Sequence, residues 1–136
     1  MASAFVTNNA MRTPQQVADK LNSMDFAATP DMIMTSAMDI AAIMAEELEA
    51  GSKVFVIGGA GLRLALEERG FVLVDSADDE PVAVVQGLDK KVDWALLSEG
   101  AFAIERGAAF YASNLDPTLP IERGQALGNG SLVRAI

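Results

Sequence analysis

Short apolar runs and stripes of helical period take turns along this chain. The runs Ala4–Val6, Met32–Met34, Lys53–Ile57, Val72–Val74, Val82–Gln86 and Ala109–Ser113 predict strands. Between the first two, Thr13 as a cap, Pro14 at the first helical position and the spacing of Val17, Ala18 and Leu21 predict a helix over Gln15–Leu21. A longer helix opens at Thr35-Ser36 and carries Met38, Ile40, Ala41, Ile43, Met44 and Leu48 before Gly51 stops it. Gly61–Arg69 and Asp93–Arg106 predict two more, closed by Gly70 and Gly107, the second in spite of an interior Gly100. A glycine at each helix end permits the left-handed turn that sends the chain back to a sheet. Strand and helix in alternation predict an α/β fold with a mostly parallel sheet and flanking helices. Asp75–Pro81 is an acidic loop expected on the surface.

At 136 residues the chain suits one domain, or one small domain with parts of a second, and 51% hydrophobic residues with a mean hydropathy of +0.25 describe a globular protein. No apolar run approaches the ~18 residues a membrane span needs. The start, Met1-Ala2-Ser3-Ala4-Phe5, has no basic segment and no long apolar segment, so no secretory leader is expected, and a cytoplasmic location is. Absence of Cys and His excludes disulfides, thiol nucleophiles, Ser-His-Asp triads and structural zinc within this chain. A net charge of −9 opposes binding of nucleic acid through bulk attraction, while a small phosphorylated ligand needs only a local cluster of N–H donors.

Two segments carry candidate chemistry. Phe5-Val6-Thr7-Asn8-Asn9-Ala10 is an apolar strand running into hydroxyl and amide side chains, followed by Arg12, Thr13, Pro14 and a helix, which is a common way to build an anion site. A hydroxyl at the carboxyl end of a parallel strand faces the crevice where α/β sheets bind ligands. Read alone, Thr7-Asn8-Asn9 is also an ordinary turn and Arg12 a solvated charge. The second segment, Ala112-Ser113-Asn114-Leu115-Asp116-Pro117-Thr118-Leu119-Pro120, follows a strand with Asn, Asp and two prolines, a stiff stretch suited to presenting side chains. Gly128-Asn129-Gly130-Ser131 follows, on its own chiefly a turn signal.

Together these segments resemble the haloacid dehalogenase superfamily, specifically its NagD-like, class IIA phosphatases. The resemblance covers nearly the whole chain and implies a C2-type cap domain inserted between partial segments of a Rossmann-like core. It implies core residues 1–35 with the phosphate-binding motif II, a cap at 36–113, and a return to the core at 114–136. Thr7, Asn8, Asn9 and Arg12 then fall at the phosphate. Asn114, Asp116, Thr118 and Leu119 fall where the leaving group is chosen, Asn114 and Asp116 in the shared pattern and Thr118 and Leu119 at variable positions. Gly128, Asn129 and Gly130 shape a loop near the active site, Asn129 more by loop shaping than by ligand contact. The family's nucleophile and acid/base aspartates, its motif III lysine and its metal-binding acidic motif have no counterpart here. The chain is therefore expected to be the middle of a Mg²⁺-dependent phosphatase of small phosphomonoesters such as sugar phosphates. In such an enzyme an aspartate outside this chain is phosphorylated and then hydrolysed. Alone, the chain is expected to be inactive, to hold no metal, and to leave the strand at Ala4–Val6 short of a neighbour, so that its ends fray, re-pair or dimerise. A ligand-binding or dimerising module without catalysis, with a homodimer formed through the cap, is the alternative.

Other features take structural readings. Gly58-Gly59-Ala60-Gly61 follows a strand but lacks the Gly-x-Gly-x-x-Gly spacing and the lysine of a P-loop, which leaves tight strand-to-helix packing and puts a nucleotide site third. Asp78-Asp79 stands in the wrong place for the family's metal motif. Met32, Met34, Met38 and Met44 are expected to fill core. Trp94 is expected to anchor its helix at the core's edge.

Overall fold

A computed structural model describes residues 2–136; Met1, the first residue of the stretch expected to lack a leader, lies outside the described residues. Four parallel strands, β3 (Lys53–Ile57), β4 (Val72–Val74), β5 (Ala83–Gln86) and β6 (Ala109–Ala112), form a sheet in the order β4-β3-β5-β6. Parallel strands need crossovers, and these are the helices α3 (Ala60–Glu68), between β3 and β4, and α4 (Trp94–Glu105), between β5 and β6. Helix α2 (Ser36–Glu47) precedes the sheet. The three returns turn on Gly51, Gly70 and Gly107, with φ of +82°, +84° and +105°, as their positions after helices require.

Both faces of the sheet are covered, which is why β3 and β5 read as unbroken apolar runs. Val54 and Val56 of β3, with Ala83 and Val85 of β5, meet Ala37, Ala41 and Met44 of α2 and Leu62, Ala65 and Leu66 of α3. Phe55, Ile57 and Val84 point the other way, onto Ala103, Leu96, Leu97 and Ile104 of α4 and onto Ile136. Gly100 lets α4 settle, since a Cβ there would stand 2.7 Å from Ile57 Cδ1.

A second, two-stranded parallel sheet pairs β1 (Phe5–Thr7) with β2 (Ile33–Thr35) in the register Phe5↔Ile33, Val6↔Met34, Thr7↔Thr35. Helix α1 (Pro14–Asn22) closes one side of it through Val17, Ala18 and Leu21. The expected helix is present with a full capping box, Gln16 N donating to Thr13 Oγ1 (3.2 Å) and Thr13 N to Gln16 Oε1 (3.0 Å). The other side is open, and the register partners Val6 and Met34 are 77% and 47% exposed. β2 covers one edge of β1, and among the described residues no strand covers the other. Among the described methionines, only Met44 is fully buried; Met32 and Met38 are half-buried, and strand alternation turns Met34 outward while Ile33 and Thr35 point in.

One further expectation is corrected. Trp94 does not anchor α4. It is 82% exposed, because the side facing the sheet carries Leu96, Leu97, Gly100, Ala103 and Ile104 while Trp94 lies over Ser98, whose Oγ donates to the Trp94 carbonyl (2.7 Å). The acidic loop is on the surface as expected, with Asp75, Asp78, Asp79 and Glu80 exposed, while Ala77 and Pro81 are buried beneath it and Glu99 of α4 accepts from Ala77 N (2.7 Å) and Ser76 Oγ (3.2 Å). In addition, a hairpin of β7 (Thr118–Ile121) and β8 (Gly124–Leu127) lies within residues 114–136, before α5 (Asn129–Val133), where no strand was expected. No Asn-Gly turn announces it, and Pro120 argues against a strand. In a two-stranded ribbon every strand has a free edge, so the missing N–H of Pro120 costs no ladder bond.

One bond ties α2 to the edge strand β6: Tyr111 Oη donates to Glu47 at 2.5 Å. Hydrogen bonding to the carboxylate, burial and the carboxylate's charge together raise the Tyr111 phenol from 10.0 to about 12. Because the folded state holds this proton more tightly, the stabilisation is complete below pH 10 and is lost as the pH rises through about 12. Tyr111→Phe is expected to cost about 1 kcal/mol at pH 7 and to narrow its gap to the native chain above pH 10, measured by urea denaturation at several pH values.

Candidate active site

Thr7 ends β1, one residue further into the strand than its sequence predicts, and the chain then turns on its own side chains. Asn9 N donates to Thr7 Oγ1 (3.2 Å), and Asn9 Oδ1 accepts from Met11 N (2.8 Å) and Arg12 N (3.4 Å). This Asx turn leads into the capping box of α1. From outside, Ser36 Oγ donates to the Asn8 carbonyl (3.0 Å) and Gly61 N to the Met11 carbonyl (3.0 Å). The glycine-rich turn thus does more than pack β3 against α3. A Cβ on Gly61 would lie 2.2 Å from the Arg12 carbonyl oxygen, so this glycine is the seat of the Ala10–Arg12 loop.

The second segment is held from behind. Gly128 N donates to the Pro117 carbonyl (2.9 Å), Gly130 N to the Asp116 carbonyl (2.9 Å) and Ser131 Oγ to the Pro117 carbonyl (2.7 Å). Asn114 Oδ1 accepts from Asp116 N (3.2 Å). So fixed, the Asp116 carboxylate accepts a hydrogen bond from Asn8 Nδ2, across 108 positions of sequence.

The two segments enclose a cleft of about 220 Å³. Thr7, Asn8, Asn9, Asn114, Asp116, Thr118, Leu119, Gly128 and Asn129 all line it, as do Met11, Leu88 and Pro120. Two residues singled out in the sequence do not. Gly130 is buried behind the loop it supports, and Arg12 faces an adjoining groove with Lys20, which shares Thr7 and Asn9 with the cleft. Among the described residues, the cleft lining therefore holds one carboxylate and no cationic side chain. Leu88 and Ser36 were missed by sequence reasoning. Leu88 stands just past the carboxyl end of β5, where α/β sheets bind ligands, and that rule points to it. A wider groove of about 700 Å³ runs past Asp78, Val82, Arg106 and Ala108, but it lies at the amino ends of β5 and β6 and its polar feature is an exposed Arg106–Asp78 ion pair (2.8 Å). Among the described residues no group of three or more His, Cys, Asp or Glu could hold a metal ion, so the residues present do not fit a Mg²⁺ site.

A hydroxyl-and-amide loop at the end of a parallel strand, closed by a distant rigid segment over a small cleft, is a ligand site of the kind α/β sheets build beyond the carboxyl ends of their strands. This chain belongs to the haloacid dehalogenase-like hydrolases, whose family model matches residues 1–72. Within them its relatives are NagD-like phosphatases. It is 43% identical over 132 residues to the D-glycerol 3-phosphate phosphatase of Mycobacterium tuberculosis, matching 97% of this chain and 37% of that protein. It is 40% identical over 132 residues to the acid sugar phosphatase of Staphylococcus saprophyticus, covering 97% of this chain and 50% of that one. The crystal structure of the mycobacterial glycerol phosphate phosphatase in complex with magnesium superposes with a TM-score of 0.95 over 98% of this chain and 40% of its own. The chain thus spans between about a third and a half of the curated relatives it matches. No helix among the described residues is long and apolar enough to cross a membrane.

Proposed function

We propose that the whole protein is a Mg²⁺-dependent phosphatase of small phosphomonoesters such as glycerol or sugar phosphates, and that this chain supplies one wall of its active site and the cap over it. The observation that carries this reading is the meeting of the Thr7–Asn9 loop with the Asn114–Leu119 segment over one cleft. Residues 1–35 and 114–136 are core in this proposal, and 36–113, holding the four-stranded sheet, are the cap that excludes water. The Thr7 hydroxyl oxygen is already an acceptor for Asn9 N, so its proton is free for a phosphoryl oxygen. Asn8 has one N–H on Asp116 and a second to give. Asp116, Asn114 and Thr118 face the leaving group, with Leu119 as an apolar contact. When bound, Mg²⁺ offsets charge on the phosphoryl oxygens; its ligands come from outside this chain.

The same reading places the protein in the cytoplasm with its small phosphorylated substrates. The test is phosphate release from a panel of phosphomonoesters with Mg²⁺, comparing this chain with the full gene product. Turnover by the full product alone is expected, and no turnover by either overturns the reading. A second reading, a dimerising module, is favoured by one observation: Trp94 and Phe102 of α4 are 82% and 46% exposed on the cap. Light scattering tests it, and a mass of one chain at all concentrations removes it.

A further inference from the structure

We infer that Asn129 is a positioning residue that clamps the Asn114–Asp116 segment and through it sets leaving-group selectivity; the kinetic half of this inference rests on the phosphatase reading. Asn129 is 1% exposed, and its carboxamide faces two backbone carbonyls, Asn114 at 2.8 Å and Gln86 at 3.3 Å. Carbonyls only accept, so the atom between them is Nδ2 with both of its N–H groups engaged. The Gln86 carbonyl also accepts from Ser113 N (2.9 Å), so one side chain joins the end of β5, the chain leaving β6 and the start of α5. Asn129 Oδ1, by contrast, is buried without a partner, as are the Gln86 amide atoms and Ser113 Oγ. A buried orphan acceptor is a cost that an apolar side chain would avoid. The donating half is therefore what the position requires.

The rest of the turn is moulded to the same purpose. Cβ atoms at Gly128 and Gly130 would stand 2.3 Å from the Asp116 carbonyl oxygen and 2.1 Å from that of Leu115. The carbonyls of Asn114, Asp116 and Pro117 are all held by residues 128–131. A loop so held has little freedom, and the Asp116 carboxylate is kept on Asn8 at the cleft wall. With a fixed carboxylate and no cation in the lining, the wall accepts hydrogen bonds from the hydroxyls of a neutral polyol and repels a leaving group with its own carboxylate.

Asn129→Asp keeps the shape and removes both N–H donors, leaving at most one O–H for two carbonyls when the buried carboxyl is protonated. In this chain, amide hydrogen exchange at Asp116, Gly128 and Gly130 is expected to quicken at least roughly ten-fold while β3 amides keep their rates. Unchanged exchange, or a uniform rise that includes β3, overturns the positioning role. In the full gene product, the ratio of kcat/KM for glycerol phosphate to that for phosphoglycolate is expected to fall about ten-fold. It should fall no further when Asn129→Asp is added to Asp116→Asn. An equal loss on both substrates overturns the selectivity role, and a gene product that hydrolyses no phosphomonoester overturns the phosphatase reading while the exchange result still decides the clamp. Should Asn129→Asp fail to fold, Ser131→Ala, which removes only the bond to Pro117, is expected to move exchange and ratio in the same direction by less; no movement in either overturns the proposal.

Discussion

Gly61→Ala is expected to lower the melting temperature of this chain by on the order of 10 °C, through a loss of about 3 kcal/mol. Alanine is ordinarily the better helix residue, by about 1 kcal/mol in an interior. Here that gain is overwhelmed, because the new Cβ would sit 2.2 Å from the Arg12 carbonyl oxygen, 2.6 Å from its carbon and 2.9 Å from the Ala10 carbonyl oxygen. These are backbone atoms and cannot rotate away. The loop that bears them is pinned by the Asn9 side chain on one flank and the α1 capping box on the other. Either α3 lifts from the sheet, disturbing Leu62, Ala65 and Leu66, or the loop lifts and the cleft loses its wall. Gly58→Ala makes the contrast. Its nearest clash, 2.7 Å, is with Leu62 Cδ2, the end of a side chain that can change rotamer, so a smaller loss is expected. Thermal melts of both variants by circular dichroism decide the matter, and equal melting temperatures would show that the Gly61 seat is dispensable.

Thr7→Val is expected to lower kcat/KM of the full gene product about 100-fold, the usual cost of removing one donor from a developing anion. Valine keeps the shape, so the cavity and β1 pairing persist. Within the fold Thr7 Oγ1 only accepts one bond, from Asn9 N at 3.2 Å, so stability of this chain should drop by no more than about 1 kcal/mol. The combination separates function from folding. Arg12→Ala, facing the adjoining groove, should cost less. Phosphate-release kinetics and a thermal melt on each variant suffice, and a Thr7→Val enzyme with native kcat/KM would remove Thr7 from the phosphate.

Local signals were legible where they act over a few residues. The Thr13-Pro14 start of α1, the glycines at 51, 70 and 107 and the apolar runs of β3 and β5 each name their element, because capping, backbone freedom and burial on both faces are decided within one turn or one strand. That Thr7, Asn8, Asn114 and Asp116 belong together was suggested only by a resemblance that spans two separate stretches, and the structure lines one cleft with all four. Trp94 and Met34 were misjudged for a common reason: a large apolar side chain says that it prefers cover, and only the packing of α4 and the open side of the β1–β2 pair say whether cover exists.

The order and kind of α1 to α4 and of the parallel strands were thus written in local periodicity. The contact of Asn8 with Asp116, the seating of Gly61 on Arg12 and the grip of Asn129 on two carbonyls were not. Each joins residues brought together only after the chain has crossed a four-stranded sheet and come back, and no short-range pattern encodes where such a return will land.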